Sequence, residues 1–306
     1  MILNNLCSFD KSDYEKIFNK VDHDNVINNV NVNLRFKFIK FDPNGNPKID
    51  LLIDTLFDYF THYCFDSEKR GLNRVVTEKE RNNINREARK LFRKWQQDEI
   101  TDENKPTSGE MGEMILWLLM EAVLDAPQVV AKMSLKTNPK LETFGSDGIH
   151  IKTINNILNI FFGEAKLYRS ISKALDSIFE SIEGFHENEM WKHEYRMVTN
   201  HYKHLSDKEK NDVYNFISGK IEAHELKINH ACLVGYDWNK YKKLDTEERS
   251  SFVDNFMEIY KKDTERLTKL IQSRFDNFSK KEFGFEVFFL PFKNVQELRD
   301  KFNKEL

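Results

Sequence analysis

Residues 144–168, FGSDGIHIKTINNILNIFFGEAKLY, restrict the fold more than any other stretch of the chain. Two short apolar runs, 148–154 and 157–162, flank Asn155-Asn156, a pair that tolerates the positive φ of a tight turn. The stretch therefore predicts a β-hairpin. Pairing Ile154 with Ile157 across a two-residue turn sets Asp147 against Glu164. Period-two alternation gathers Ile149, Ile151, Leu158, Ile160 and Phe162 on the sheet face that also carries Asp147, Glu164 and Lys166.

Most of that face is core. Two carboxylates at its end are costly unless something cationic binds there, because buried acids need partners. A divalent metal is the natural candidate. Mg²⁺, with Mn²⁺ as an alternative, prefers carboxylate oxygens together with waters and substrate phosphate. Lys166, two residues beyond Glu164, is expected to point into the same place.

Asp147, followed by Glu164-Ala165-Lys166 on the next strand, resembles the D…ExK signature of the PD-(D/E)xK nuclease superfamily, with Ser146 where the proline of the name would fall. More narrowly, GEMGEMILWLL from Gly109, GSDGIHI from Gly145 and FFGEAKLYRS from Phe161 resemble the HamA family, the nuclease subunit of the Hachiman antiphage defence system. The close likeness covers about residues 108–181, with looser likeness elsewhere. An ExK triplet alone is common by chance; the strand aspartate at hairpin spacing and an acid-bearing helix make it more specific.

The resemblance implies an α+β fold with a mixed central sheet flanked by helices, of the restriction-endonuclease type. It implies metal-assisted hydrolysis of DNA, with Asp147, Glu164 and the Ala165 carbonyl holding Mg²⁺, an acid from a preceding helix completing the shell, and Lys166 orienting water or stabilising the transition state. It also implies a helicase partner of the HamB kind. The residues alone leave DNA and RNA equal as substrates, since the metal meets only phosphate. They also leave open a non-catalytic adaptor that binds a helicase or DNA.

The helix acid is one of two. Residues 107–124 form a strongly apolar helical pattern with Glu110 and Glu113 in its first turns. Thr107-x-x-Glu110 also fits a capping box, a purely structural role. Glu113 shares a face with Trp117 and Glu121 at i, i+4 and i+8 spacing, and by resemblance it is preferred to Glu110.

Elsewhere the pattern predicts a strand over 31–41, a helix over 49–63, and a helix over 77–97 opened by the box Thr77-x-x-Glu80. That last helix carries Lys79, Arg81, Arg86, Arg89, Lys90, Arg93 and Lys94, which could serve as a phosphate-tracking or docking face, but such runs are common and the ordinary solvated face is the preferred reading. Further strands are expected over 128–135, 228–237 and 283–292, helices over 169–182, 247–275 and 295–302, and a loop over 239–245. Ser170 or Ser172 would cap the helix that follows the hairpin. Glu142 reads as surface. His201-x-x-His204 has ligand spacing but no third ligand nearby in sequence.

The chain of 306 residues divides in this reading into an N-terminal α+β region, 1–100, and a nuclease-like domain, 101–306, with a helical insertion at about 183–227. Its formal charge of −3 gives no general basic excess, so nucleic-acid binding needs local positive charge or a partner's. Three scattered cysteines fit a reducing cytoplasm and exclude a disulfide framework. The absence of a phosphate loop argues against ATP hydrolysis, and no apolar run is long enough for a membrane role.

Overall fold

Alternating apolar residues become strands of one seven-stranded sheet in the computed structural model of the protein. The structure describes residues 7–66, 68–71, 74–93, 109–130, 133, 145–155, 157–188, 190, 226–244, 248–249 and 251–306. In chain order the elements are α1 (Lys11–Ile17), β1 (Phe18–Val21), β2 (Asn31–Ile39), α2 (Ile49–Asp58), α3 (Phe60–Cys64), α4 (Glu78–Arg93), α5 (Glu110–Leu124), β3 (Gln128–Val130), β4 (Gly148–Ile154), β5 (Ile157–Tyr168), α6 (Ile171–Glu187), β6 (Leu226–Asp237), α7 (Tyr241–Leu244), α8 (Phe252–Asn277), β7 (Gly284–Phe292) and α9 (Val295–Glu305). The sheet order is β1-β2-β7-β6-β5-β4-β3. Strands β2, β7, β6 and β5 run parallel, and antiparallel pairs close both edges. The fold is α+β, and residues 1–100 contribute β1 and β2 to the same sheet as the rest.

Local chemistry explains most boundaries. The Asn155 backbone takes φ 51°, the left-handed conformation that a tight hairpin turn needs, and β4 pairs with β5 from Ile154↔Ile157 to Gly148↔Gly163, the expected register. Helix α4 opens on its capping box: Glu80 N–H donates to Thr77 Oγ1 at 3.3 Å while Thr77 N–H donates to Glu80 Oε2 at 3.0 Å. Ser170 caps α6, accepting from Lys173 N–H, and Asn294 caps α9.

Two expectations are corrected. The helix expected over 49–63 is two, α2 and α3, broken at Tyr59, whose ring packs 4.4 Å from Phe9 and whose hydroxyl donates to Asp13. The loop expected over 239–245 contains the short α7, which buries Tyr241 and Leu244.

Each face of the sheet has its own core. One face holds Phe161, Ala165, Leu167, Ala231, Leu233, Phe288 and Leu290 beneath α2, α3, α5 and α9. The other holds Cys232, Val234, Tyr236, Phe285, Val287 and Phe289 beneath α6 and α8. Strand β5 is covered on both faces, so charged groups on it stand out.

Candidate active site

Alternation along β5 sends Ala165 and Leu167 toward α5 and sends Glu164 and Lys166 to the opposite face. Glu164 is only 9% exposed, and Lys166 Nζ lies 2.7 Å from its Oε1. A hydrogen bond from Ser181 of α6 also reaches the Glu164 carboxylate.

Regular pairing of β4 with β5 ends at Gly148↔Gly163, one residue short of the acids. Asp147 N–H still donates to the Gly163 carbonyl at 2.8 Å, and Asp147 Oδ2 accepts from Ala165 N–H at 2.6 Å. Asp147 thus grips the residues on either side of Glu164. In an extended strand the N–H and C=O of one residue point to the same neighbour, so the Ala165 carbonyl faces the gap where β4 departs.

Helix α5 supplies the third acid. It lies close to β5 because each element offers a glycine to the other: a Cβ on Gly112 of α5 would stand 3.2 Å from Leu167, and one on Gly163 of β5 would stand 3.1 Å from Met120 and 3.2 Å from Leu116. Glu113, next to Gly112 and half-buried, accepts a hydrogen bond from the Tyr63 hydroxyl at 3.0 Å. Glu110 lies buried at the start of the same helix. Glu121 serves structure, its carboxylate accepting from the backbone N–H groups of Ser8, Phe9 and Gln128.

Burial and mutual repulsion dominate the electrostatics. Burial, then the charges of Glu164 and Glu113, hold the Asp147 carboxyl well above its ordinary range against the opposing Ala165 hydrogen bond and Lys166 charge. Burial also raises Glu164, although Lys166 and Ser181 pull it down. Burial works against the charge on Lys166, yet the Glu164 and Asp147 carboxylates hold its ammonium above the ordinary value. Tyr63 is pushed up by burial and by Glu113 and Asp147, which keeps its hydroxyl protonated as a donor. Glu113 is the helix acid whose charge acts on both other carboxylates.

These hard oxygen donors suit a divalent cation in kind, and a cation would relieve the repulsion that raises both carboxyls. In the arrangement seen, however, each turns to a protein donor: Asp147 to Ala165, Glu164 to Lys166 and Ser181, Glu113 to Tyr63. Among the described residues no three His, Cys, Asp or Glu side chains converge as a bound metal would require. Thr107, Glu142 and the pair His201 and His204 lie outside the described residues. Tyr63 and Ser181 are the supporting residues that sequence reading missed.

Fold and site together define a mixed α+β protein with a buried Glu164, and half-buried Asp147, Glu113 and Lys166 around it, where a hairpin opens beside a helix. No curated protein matches the chain. The chain belongs to the HamA family, whose model matches residues 13–306, nearly its whole length. Membership places it among the components of Hachiman antiphage defence. No helix among the described residues is long and apolar enough to cross a membrane.

Proposed function

We propose that this protein is a metal-dependent DNA nuclease, the effector subunit of an antiphage complex with a helicase partner of the HamB type. The observation that carries the reading is the Glu164–Lys166 pair at the open end of the hairpin, with Asp147 bonded to the residue between them, where burial and the charges of neighbouring acids, Glu113 included, raise the carboxyls of Asp147 and Glu164. Acids so placed are poised to trade protons for a divalent cation.

Asp147, Glu164 and the Ala165 carbonyl would hold Mg²⁺ or Mn²⁺, with Glu113 completing the shell and Glu110 the alternative on the same helix. The bound ion supplies a water of lowered pKa and a counter-charge for the scissile phosphate. Lys166, 2.7 Å from Glu164, would donate a hydrogen bond to the attacking water or to a phosphate oxygen as negative charge builds there. Tyr63 holds Glu113 from behind, and Ser181 does the same for Glu164. Residues 101–306 carry every proposed ligand, while residues 1–100 contribute Tyr63. The net charge of −3 fits a subunit that receives DNA from a partner.

The test is plasmid degradation in the presence of the helicase partner, with Mg²⁺ or with EDTA, by wild type, Glu164→Ala and Lys166→Ala. Loss of cleavage in both variants and in EDTA is expected. Equal cleavage by all three proteins rejects the site.

A second reading is a non-catalytic adaptor that binds helicase or DNA. Its support is that each acid already has a protein donor and no three converge. The same assay separates the two, since an adaptor leaves plasmid intact whatever the metal.

A further inference from the structure

Lys37 of β2 is 8% exposed, yet no carboxylate pairs with it and no hydrogen bond reaches its ammonium among the described residues. Its Nζ lies 5.6 Å from the centre of the Tyr14 ring, which gives a weak substitute for a counter-ion. Nearby acids are committed elsewhere. Asp22 pairs with Lys20 at 2.7 Å, and Glu286 gives one oxygen to Arg35 and the other to Asn33.

The register makes the anomaly sharper. Lys20 of β1 stands directly across from Lys37, and Arg35 lies two residues away on the same face. Like charges directly opposed across an antiparallel pair destabilise it, and burial adds to that cost. Accordingly burial, then Arg35 and Lys20, lower the Lys37 ammonium to about 8, with Asp22 pulling the other way. The charge is not sealed in, since Lys37 Nζ is not among the fully enclosed, unpartnered polar atoms. Arg35 spends only its Nε on Glu286, so its terminal amino groups keep donors to offer.

We infer that Lys37, with Lys20 and Arg35 beside it and Tyr14 over it, forms a receiving site for a phosphate group carried by a nucleotide or a nucleic-acid backbone. Phosphate has enough oxygens and charge to take hydrogen bonds from several cations at once, which a single carboxylate does less well. The site is separate from the acids of β5: β7 and β6 lie between β2 and β5, and Lys37 faces α1 on the side of the sheet away from Glu164. It therefore stands whether or not the nuclease reading does.

The experiment is thermal melting of the full chain in EDTA, in chloride, in inorganic phosphate at matched ionic strength, and with a short single-stranded DNA. Wild type is expected to melt about 2–4 °C higher in phosphate or with the oligonucleotide than in chloride. Lys37→Met should lose that rise while melting no lower than wild type in chloride, because it removes the unpaired charge. A larger rise with DNA than with phosphate assigns the site to the backbone, and the reverse assigns it to a free phosphate or nucleotide. No phosphate- or DNA-specific rise in wild type, or a full rise in Lys37→Met, overturns the inference. Should Lys37→Met fail to fold, Lys20→Gln, at an exposed position, takes its place, and a full rise in that variant is equally fatal.

Discussion

Two buried polar groups lie a few ångströms apart along the same face of the β5–β6 pair, and they resolve burial in opposite ways. At Phe162↔His230, the His230 and His186 rings meet Nε2 to Nε2 at 2.8 Å inside a cage of Phe162, Phe185, Phe283 and Phe285. Burial, then His186, lowers His230 to about 3; burial, then Lys280, lowers His186 to about 4. Two residues further along, at Glu164↔Cys232, the acids begin. Three carboxylates there have one lysine between them. Neutral imidazoles satisfy each other with one shared proton, so the histidine pair needs nothing further. The carboxylates cannot do the same. Both groups are desolvated; what sets the acids apart is a deficit of positive charge.

The largest expected effect tests that deficit. Asp147→Ala, Glu164→Ala and Lys166→Ala should each lower Mg²⁺-dependent DNA degradation about 100-fold or more while leaving the fold intact by circular dichroism. His230→Leu should leave the activity within about twofold, because no step proposed here uses it.

Next comes the dependence of stability on pH. The carboxyls of Asp147 and Glu164 are raised above their ordinary values, so in EDTA their contribution to stability is fully present below about pH 4 and is lost as pH climbs through the raised values. Melting of wild type should therefore decline relative to Asp147→Asn as pH rises toward 8. Mg²⁺ or Mn²⁺ should restore several degrees at pH 8 and nothing at about pH 4, where protons occupy the ligands. A metal effect equal at both pH values would remove the distinction drawn between the two regions.

Tyr63→Phe should cost about tenfold in activity, since it deletes the hydroxyl that holds Glu113 and leaves the three carboxylates themselves in place. The smallest effect belongs to the histidines. Replacing both His186 and His230 with leucine should change stability at pH 7 by about 1 kcal/mol or less, because a hydrogen-bonded pair exchanged for apolar groups is nearly neutral. The wild-type pair contributes stability above about pH 6.5 that fades as pH falls toward 4 and then 3, so the double variant should flatten the acid limb of a melting-versus-pH curve.

Much of this was legible in the sequence because short-range chemistry carried it. The Asn155-Asn156 turn, the strand register and the Glu164-x-Lys166 spacing all follow from neighbours within twenty residues of one another. Tyr63 was illegible. It lies 50 residues from Glu113, and a tyrosine on an apolar helix gives no hint that its hydroxyl meets an acid. Ser181 sits among the inward residues of α6 and reads as a routine helix position until the strand beneath it is known. In β2, residues 31–41 spelled a strand plainly, but alternation could not say that α1 would fold over Lys37. Long-range placement also decided Glu121, whose partners Ser8 and Phe9 lie 113 and 112 residues away while Gln128 lies only 7 away.

The glycines between α5 and β5 leave one last consequence. Gly112 faces the Leu167 and Ala165 side chains of the strand, and Gly163 faces Met120 and Leu116 of the helix, so neither seam has room for a further methyl without a shift. An alanine at Gly112 would act as a shim, thickening that seam by a methyl against Leu167 and easing Glu113 outward. The repulsion at this corner is thus geared to a backbone gap, and it could be tuned in small steps without touching a single charged group.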